Sequence, residues 1–114
     1  MHPSRAKGSA AEREAAHLLE DLLGCPVKRR YNLGTHEDIG DLIGIPDTVV
    51  QVVSRSTDVV AVGIVRKPLE ADQQARNAGV SFAATMLRVR GGTWRVVMTP
   101  EAFATLWRET QPTS

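Results

Sequence analysis

The chain has 114 residues, with 14 basic against 13 acidic side chains, 42% hydrophobic residues and 24% charged ones. That arithmetic describes one soluble globular domain with a single core. A single cysteine, Cys25, and three scattered histidines exclude a disulfide framework and a Cys/His zinc cluster. No run reaches the roughly 18 to 20 consecutive apolar residues that span a bilayer, and the opening MHPSRAKGSAAERE lacks a signal-peptide core, so an intracellular, cytoplasmic protein is expected.

Residues 1–8, with Pro3 and Gly8, read as a flexible arm, and residues 9–110 as the single domain. Ser9 and Glu12 have capping-box spacing, and Ala11, Ala15, Leu18, Leu19, Leu22 and Leu23 recur at helical intervals, predicting a helix over 9–23 that Gly24 and Pro26 stop. Val27 to Tyr31 reads as a short strand, Asn32 to Gly40 as a loop, and Asp41 to Ile45 as a second strand ended by Pro46. Val49 to Val53 is apolar and β-branched except for Gln51, the pattern of a central strand in a hairpin with its predecessor. The class of Asp58 to Val65 stays open, because its valines favour a strand where a crossover helix is needed. Leu69 to Ala78 predicts a helix stopped by Gly79. Strands over Ser81 to Val89 and Thr93 to Met98 flank a turn at Arg90, Gly91 and Gly92. Thr99 then caps a helix carrying Phe103, Leu106 and Trp107 on one face, a face expected to be core more often than interface. Residues 111–114 form a tail. The predicted order is α-β-β-β-α-β-β-α, an α/β mixed sheet with flanking helices.

The charge is unevenly spread. Arg5, Lys7 and Arg13 open the chain, Lys28, Arg29 and Arg30 form a run, and Gln73 to Pro100 holds four arginines and no acid. Glu37, Asp38, Asp41 and Asp47 gather between these basic flanks. Each run also has the plain reading of solvated surface charge. Cys25 reads as a small buried thiol, and His17 and His36 as surface side chains. Gly91 and Gly92 have no lysine and no helix after them, which excludes a phosphate loop of the Walker type. What remains is the acidic centre. Asp41 at the start of a strand, with one partner, meets the need of a Mg²⁺ site, which takes one or two protein carboxylates and fills its other positions with water and phosphate oxygens. Asp38 is equally well read as a turn aspartate bonding its own backbone.

KGSAAERE at Lys7 to Glu14, KRRYN at Lys28 to Asn32, DIGDLIGIP at Asp38 to Pro46 and VVQVV at Val49 to Val53 together resemble the PD-(D/E)XK nucleases. Among these the chain is most similar to Holliday junction resolvases of the archaeal type and their small phage-encoded relatives, over about residues 5 to 107. The resemblance implies a restriction-endonuclease-like core and a role in phage or bacterial DNA metabolism. It also implies Mg²⁺ or Mn²⁺ held by Glu12, Asp41 and the residue at Gln51, DNA as partner in branched or duplex form, and a homodimer. Glu12 matches the family's helix glutamate and Asp41 its strand aspartate, but Gln51 stands where the family has an acid and Val53 where it has a lysine. An amide keeps an oxygen and loses a full charge. Valine neither orients water nor stabilises charge developing on phosphate. An acid-base group contributes roughly 10²–10⁴ in rate and an electrostatic stabiliser about 10²–10³, so the two losses together leave little cleavage.

Arg55 shares a strand face with Gln51 and Val53 and is the nearer replacement cation, with Lys67 the more distant one. Glu12 has two readings: it closes the capping box with Ser9, or it faces the site from the edge of the buried stripe, beside Ala16, Leu19 and Leu23. Arg5, Lys7, Lys28, Arg29 and Arg30 are the expected phosphate contacts. Three functions stand side by side: an active Mg²⁺-dependent junction endonuclease using Glu12, Asp41, Gln51 and Arg55; a DNA-binding protein that kept the fold and lost cleavage, with no cofactor; and a module binding a host protein without nucleic acid. Gln51 and Val53 favour the second.

Overall fold

The computed structural model describes residues 3–30, 39–54 and 60–112, and of residues 3–9, 60 and 90 the backbone only. Its elements are helix α1 (Pro3–Leu23), strands β1 (Lys28–Arg29), β2 (Leu42–Ile43) and β3 (Thr48–Ser54), and helices α2 (Val60–Val65) and α3 (Lys67–Ala78). Strands β4 (Phe82–Val89) and β5 (Thr93–Val97) and helix α4 (Pro100–Glu109) follow. Five strands form one sheet in the order β1-β2-β3-β4-β5. All neighbours are antiparallel except β3 and β4, which run parallel from Thr48 opposite Phe82 to Ser54 opposite Arg88. Parallel neighbours need a crossover, and the α2–α3 pair supplies it. The fold is therefore α/β with a mixed sheet, as the sequence predicts, with four α-helices among the described residues where the pattern gave three.

Helix α1 departs from expectation at its start. It begins at Pro3, so the backbone read as an arm is helical and Ser9 lies within the helix. Proline suits a first helical turn, and Arg5, Ala6 and Lys7 are strong helix formers that carry the helix past Gly8. The capping-box explanation of Glu12 lapses with this start. Residues Val60 to Val65 are helical despite their valines. Packing decides there: a Cβ on Gly63 would lie 2.8 Å from Cδ1 of Leu87, so the helix seats against β4 through its one side-chain-free position. The first part of the open segment, Asp58 and Val59, lies outside the described residues.

Two apolar layers flank the sheet. On one face Ala15 and Ala16 of α1 pack with Val27, Leu42, Val50 and Met86. On the other, Ala71 and Ala75 of α3 pack with Val49 and Ala83. The alternation along β3 makes both contacts possible, and the alanines let each helix lie close. Thr99 caps α4 as predicted, its Oγ1 accepting from the Ala102 amide at 3.0 Å and donating to Asp72 of α3 at 2.8 Å. The outward face of α4 differs from expectation. Phe103, Leu106 and Trp107 are 58%, 42% and 53% exposed, so they are surface and not core. No helix among the described residues is long and apolar enough to cross a membrane.

Candidate functional site

Asp41 leads into β2 and is fixed by its backbone before its side chain acts. Its amide donates to the Val50 carbonyl at 2.9 Å, and its carbonyl accepts from the Arg30 amide at 2.8 Å. These bonds tie it between β1 and β3. Its carboxylate then accepts from the Val52 amide at 2.8 Å, through Oδ2. A backbone amide given to a carboxylate is a charge-assisted bond, so Asp41 is held in one orientation.

Glu12 reaches the same place from α1. Its side chain is 20% exposed and lies 3.4 Å from Nε of Arg29, itself 19% exposed. Arg29 belongs to β1 opposite Leu42, the residue after Asp41, so the strand pairing brings its backbone to the start of β2 while its side chain reaches Glu12. The Glu12 carboxyl is pushed above its usual value, first by burial and then by the negative charge of Asp41, against the opposing pull of Arg29 and Arg13. Two of the residues matched to the nuclease pattern thus share one electrostatic site.

Gln51 is 5% exposed and turned toward α3. Its Nε2 donates to the Lys67 carbonyl at 3.0 Å, and its Oε1 accepts from Nε2 of Gln74 at 2.7 Å. Val53, two positions on, is also 5% exposed and pairs with Leu87 on β4. Of the two replacement cations, Lys67 is among the described residues. The ammonium of Lys67 pairs with Glu70 at 2.9 Å. Arg55 lies outside the described residues, as do Tyr31, Asn32, His36, Glu37 and Asp38.

Of the expected phosphate contacts, Lys28 is exposed and Arg30 half-buried, its Nε without a hydrogen-bond partner among the described residues. Arg5 and Lys7 ride on the first turns of α1. Arg29 is withdrawn into the ion pair with Glu12. Two features escaped the sequence. Gln74 as the partner of Gln51 had a signal, since a lone amide in a buried strand requires one. Arg29 as counter-ion of Glu12 had none, because only the strand register brings the two together.

A second feature is an apolar groove of about 240 Å³ between the end of α1, the sheet and α4, with Leu19, Leu23, Val50, Met86 and Leu106 in its walls. Compared with models of known families, with characterised proteins and with solved structures, the chain gives no match in any of the three.

Proposed function

We propose that the chain is a DNA-binding protein built on a restriction-endonuclease-like core, related in design to Holliday junction resolvases, in which phosphodiester cleavage is lost. Its sheet supports this reading: three antiparallel strands, a helical crossover and a fourth strand parallel to the third make the order the resemblance implies. Glu12 and Asp41, the two acids that match the family pattern, are near enough for the charge of Asp41 to act on Glu12.

The observation that carries the loss of cleavage is the state of positions 51 and 53. The amide of Gln51 is bonded to Gln74 and to the Lys67 carbonyl, and Val53 is buried opposite Leu87 of β4, so position 51 serves the β3–α3 contact and position 53 the core. The Mg²⁺ or Mn²⁺ of an active nuclease fits these residues poorly. One of its two acids carries Arg29, the third donor is a committed amide, and no group of three His, Cys, Asp or Glu stands together among the described residues. An active endonuclease would have to draw its cation from Arg55.

DNA association then rests on Lys28, Arg30, Arg5 and Lys7, a sequence-independent and salt-sensitive contact with phosphates. Few aromatic side chains are available for stacking on bases, which favours duplex or branched DNA over single strands. The test is association with a labelled four-way junction and with plain duplex across salt concentrations. A linear fall of log affinity with log salt is expected, shallower by about one unit for each phosphate contact removed, as in Lys28→Ala. Absence of binding at low salt would overturn the proposal and leave the host-protein reading, for which the exposed Phe103, Leu106 and Trp107 offer an apolar surface.

A further inference from the structure

The acids of this site already have a cation, and the chain supplies it. Nε of Arg29 stands 3.4 Å from Glu12, both side chains are about four-fifths buried, and the charge of Asp41 is felt at the same Glu12 carboxyl. A guanidinium keeps its charge at every accessible pH and offers five donors to surrounding oxygens. Its position on β1 is fixed at both ends by backbone: the strand pairs with β2, and the following amide, that of Arg30, donates to the Asp41 carbonyl.

We propose that Arg29, paired with Glu12, takes the place of a divalent cation at this acidic site, closing the site to Mg²⁺ and making the protein's DNA association independent of metal. The inference rests on the nuclease-like reading for the metal it names, and otherwise on the buried Glu12–Arg29 ion pair beside the charge of Asp41. A cation already at contact distance from Glu12 offsets part of the negative charge of the site, so an incoming Mg²⁺ meets a weaker field and must displace a partly buried ion pair. Removing the guanidinium while keeping both acids strips Glu12 of its ion pair and leaves a more negative site, which a hard divalent ion prefers.

The experiment is a titration of Mn²⁺, followed by its electron paramagnetic resonance signal, into the natural protein, Arg29→Gln, Arg29→Lys and the double variant Arg29→Gln/Asp41→Asn. Each is first shown to melt cooperatively. Arg29→Gln is expected to bind Mn²⁺ tighter than the natural protein by roughly tenfold or more, the effect of one uncompensated charge at contact distance. Arg29→Lys, which keeps the charge, and the double variant, which loses an acid, are expected to fall back toward the natural protein. Equal Mn²⁺ affinity in the natural protein and Arg29→Gln overturns the proposal, and so does binding by Arg29→Gln that survives loss of Asp41. Should Arg29→Gln fail to fold, the Arg29→Lys comparison and the natural protein decide: tight, Asp41-dependent Mn²⁺ binding in either sinks the idea. Junction association measured in chelator and in Mg²⁺ at matched ionic strength is expected to be the same. A protein that binds no junction under any condition contradicts the proposed function but leaves the Mn²⁺ result standing.

Discussion

At Glu12, burial and the charge of Asp41 push the carboxyl up while Arg29 and Arg13 pull it down, and the upward influences win. A carboxyl that is harder to ionise folded than unfolded holds more protons in the folded state, so stability falls as pH rises from the ordinary 4.5 through the raised folded value. Above that window the penalty is present in full. Glu12→Gln is therefore expected to be more stable than the natural protein at about pH 7 and to lose that advantage below about pH 4. Urea melts at the two pH values check it; an advantage of equal size at both would assign the effect to packing and not to charge. Gln74 offers a second residue-scale test. Gln74→Leu leaves the buried oxygen of Gln51 without its donor and is expected to cost about 1–3 kcal/mol, while Gln51→Leu with Gln74→Leu recovers part of the loss. Simple additivity in that cycle would mean the two amides do not act together.

At the scale of elements, the strands of the hairpin and of the parallel pair were legible because they are short apolar runs cut by Gly, Pro and Asp, and Gly79 and Thr99 announced the end of α3 and the start of α4. The start of α1 was not, because Ser9 with Glu12 imitates a cap inside a helix that Pro3 already opens. Nor was α2, where contact with Leu87 overrides the β preference of three valines. The site shows the same division. Glu12 and Asp41 could be named from motif spacing, whereas the fate of Arg29 depends on which strand pairs with which, and no local pattern carries that. Two element-scale substitutions test the joints. Thr99→Ala removes the α4 cap and the bond to Asp72, an expected cost of about 1–2 kcal/mol. Gly44→Ala forces a side chain into a left-handed backbone position, φ +114°, with its Cβ against the Pro26 carbonyl oxygen. The expected cost exceeds about 1 kcal/mol, read in the same melts.

For the whole molecule, the two faces of the sheet carry different duties. Toward α1 lies the Glu12–Arg29 pair; toward the other face lie Gln51, bonded to α3, and the buried Val53, which serve packing. Stability and the proposed function are separable on that account. Met86→Ala, in the core between α1 and the sheet, is expected to cost about 2–5 kcal/mol, whereas Phe103→Ser on the exposed face of α4 stays within about 0.5 kcal/mol in thermal or urea unfolding. The central claim is binding without cleavage, and one measurement meets it most directly. A labelled four-way junction is incubated with excess natural protein in Mg²⁺ or Mn²⁺, beside Asp41→Ala, with binding and strand scission read from the same samples. The account predicts a shifted junction, steeply salt-dependent, with no scission above that of Asp41→Ala. Scission by the natural protein that disappears in Asp41→Ala would show a working metal site and contradict it.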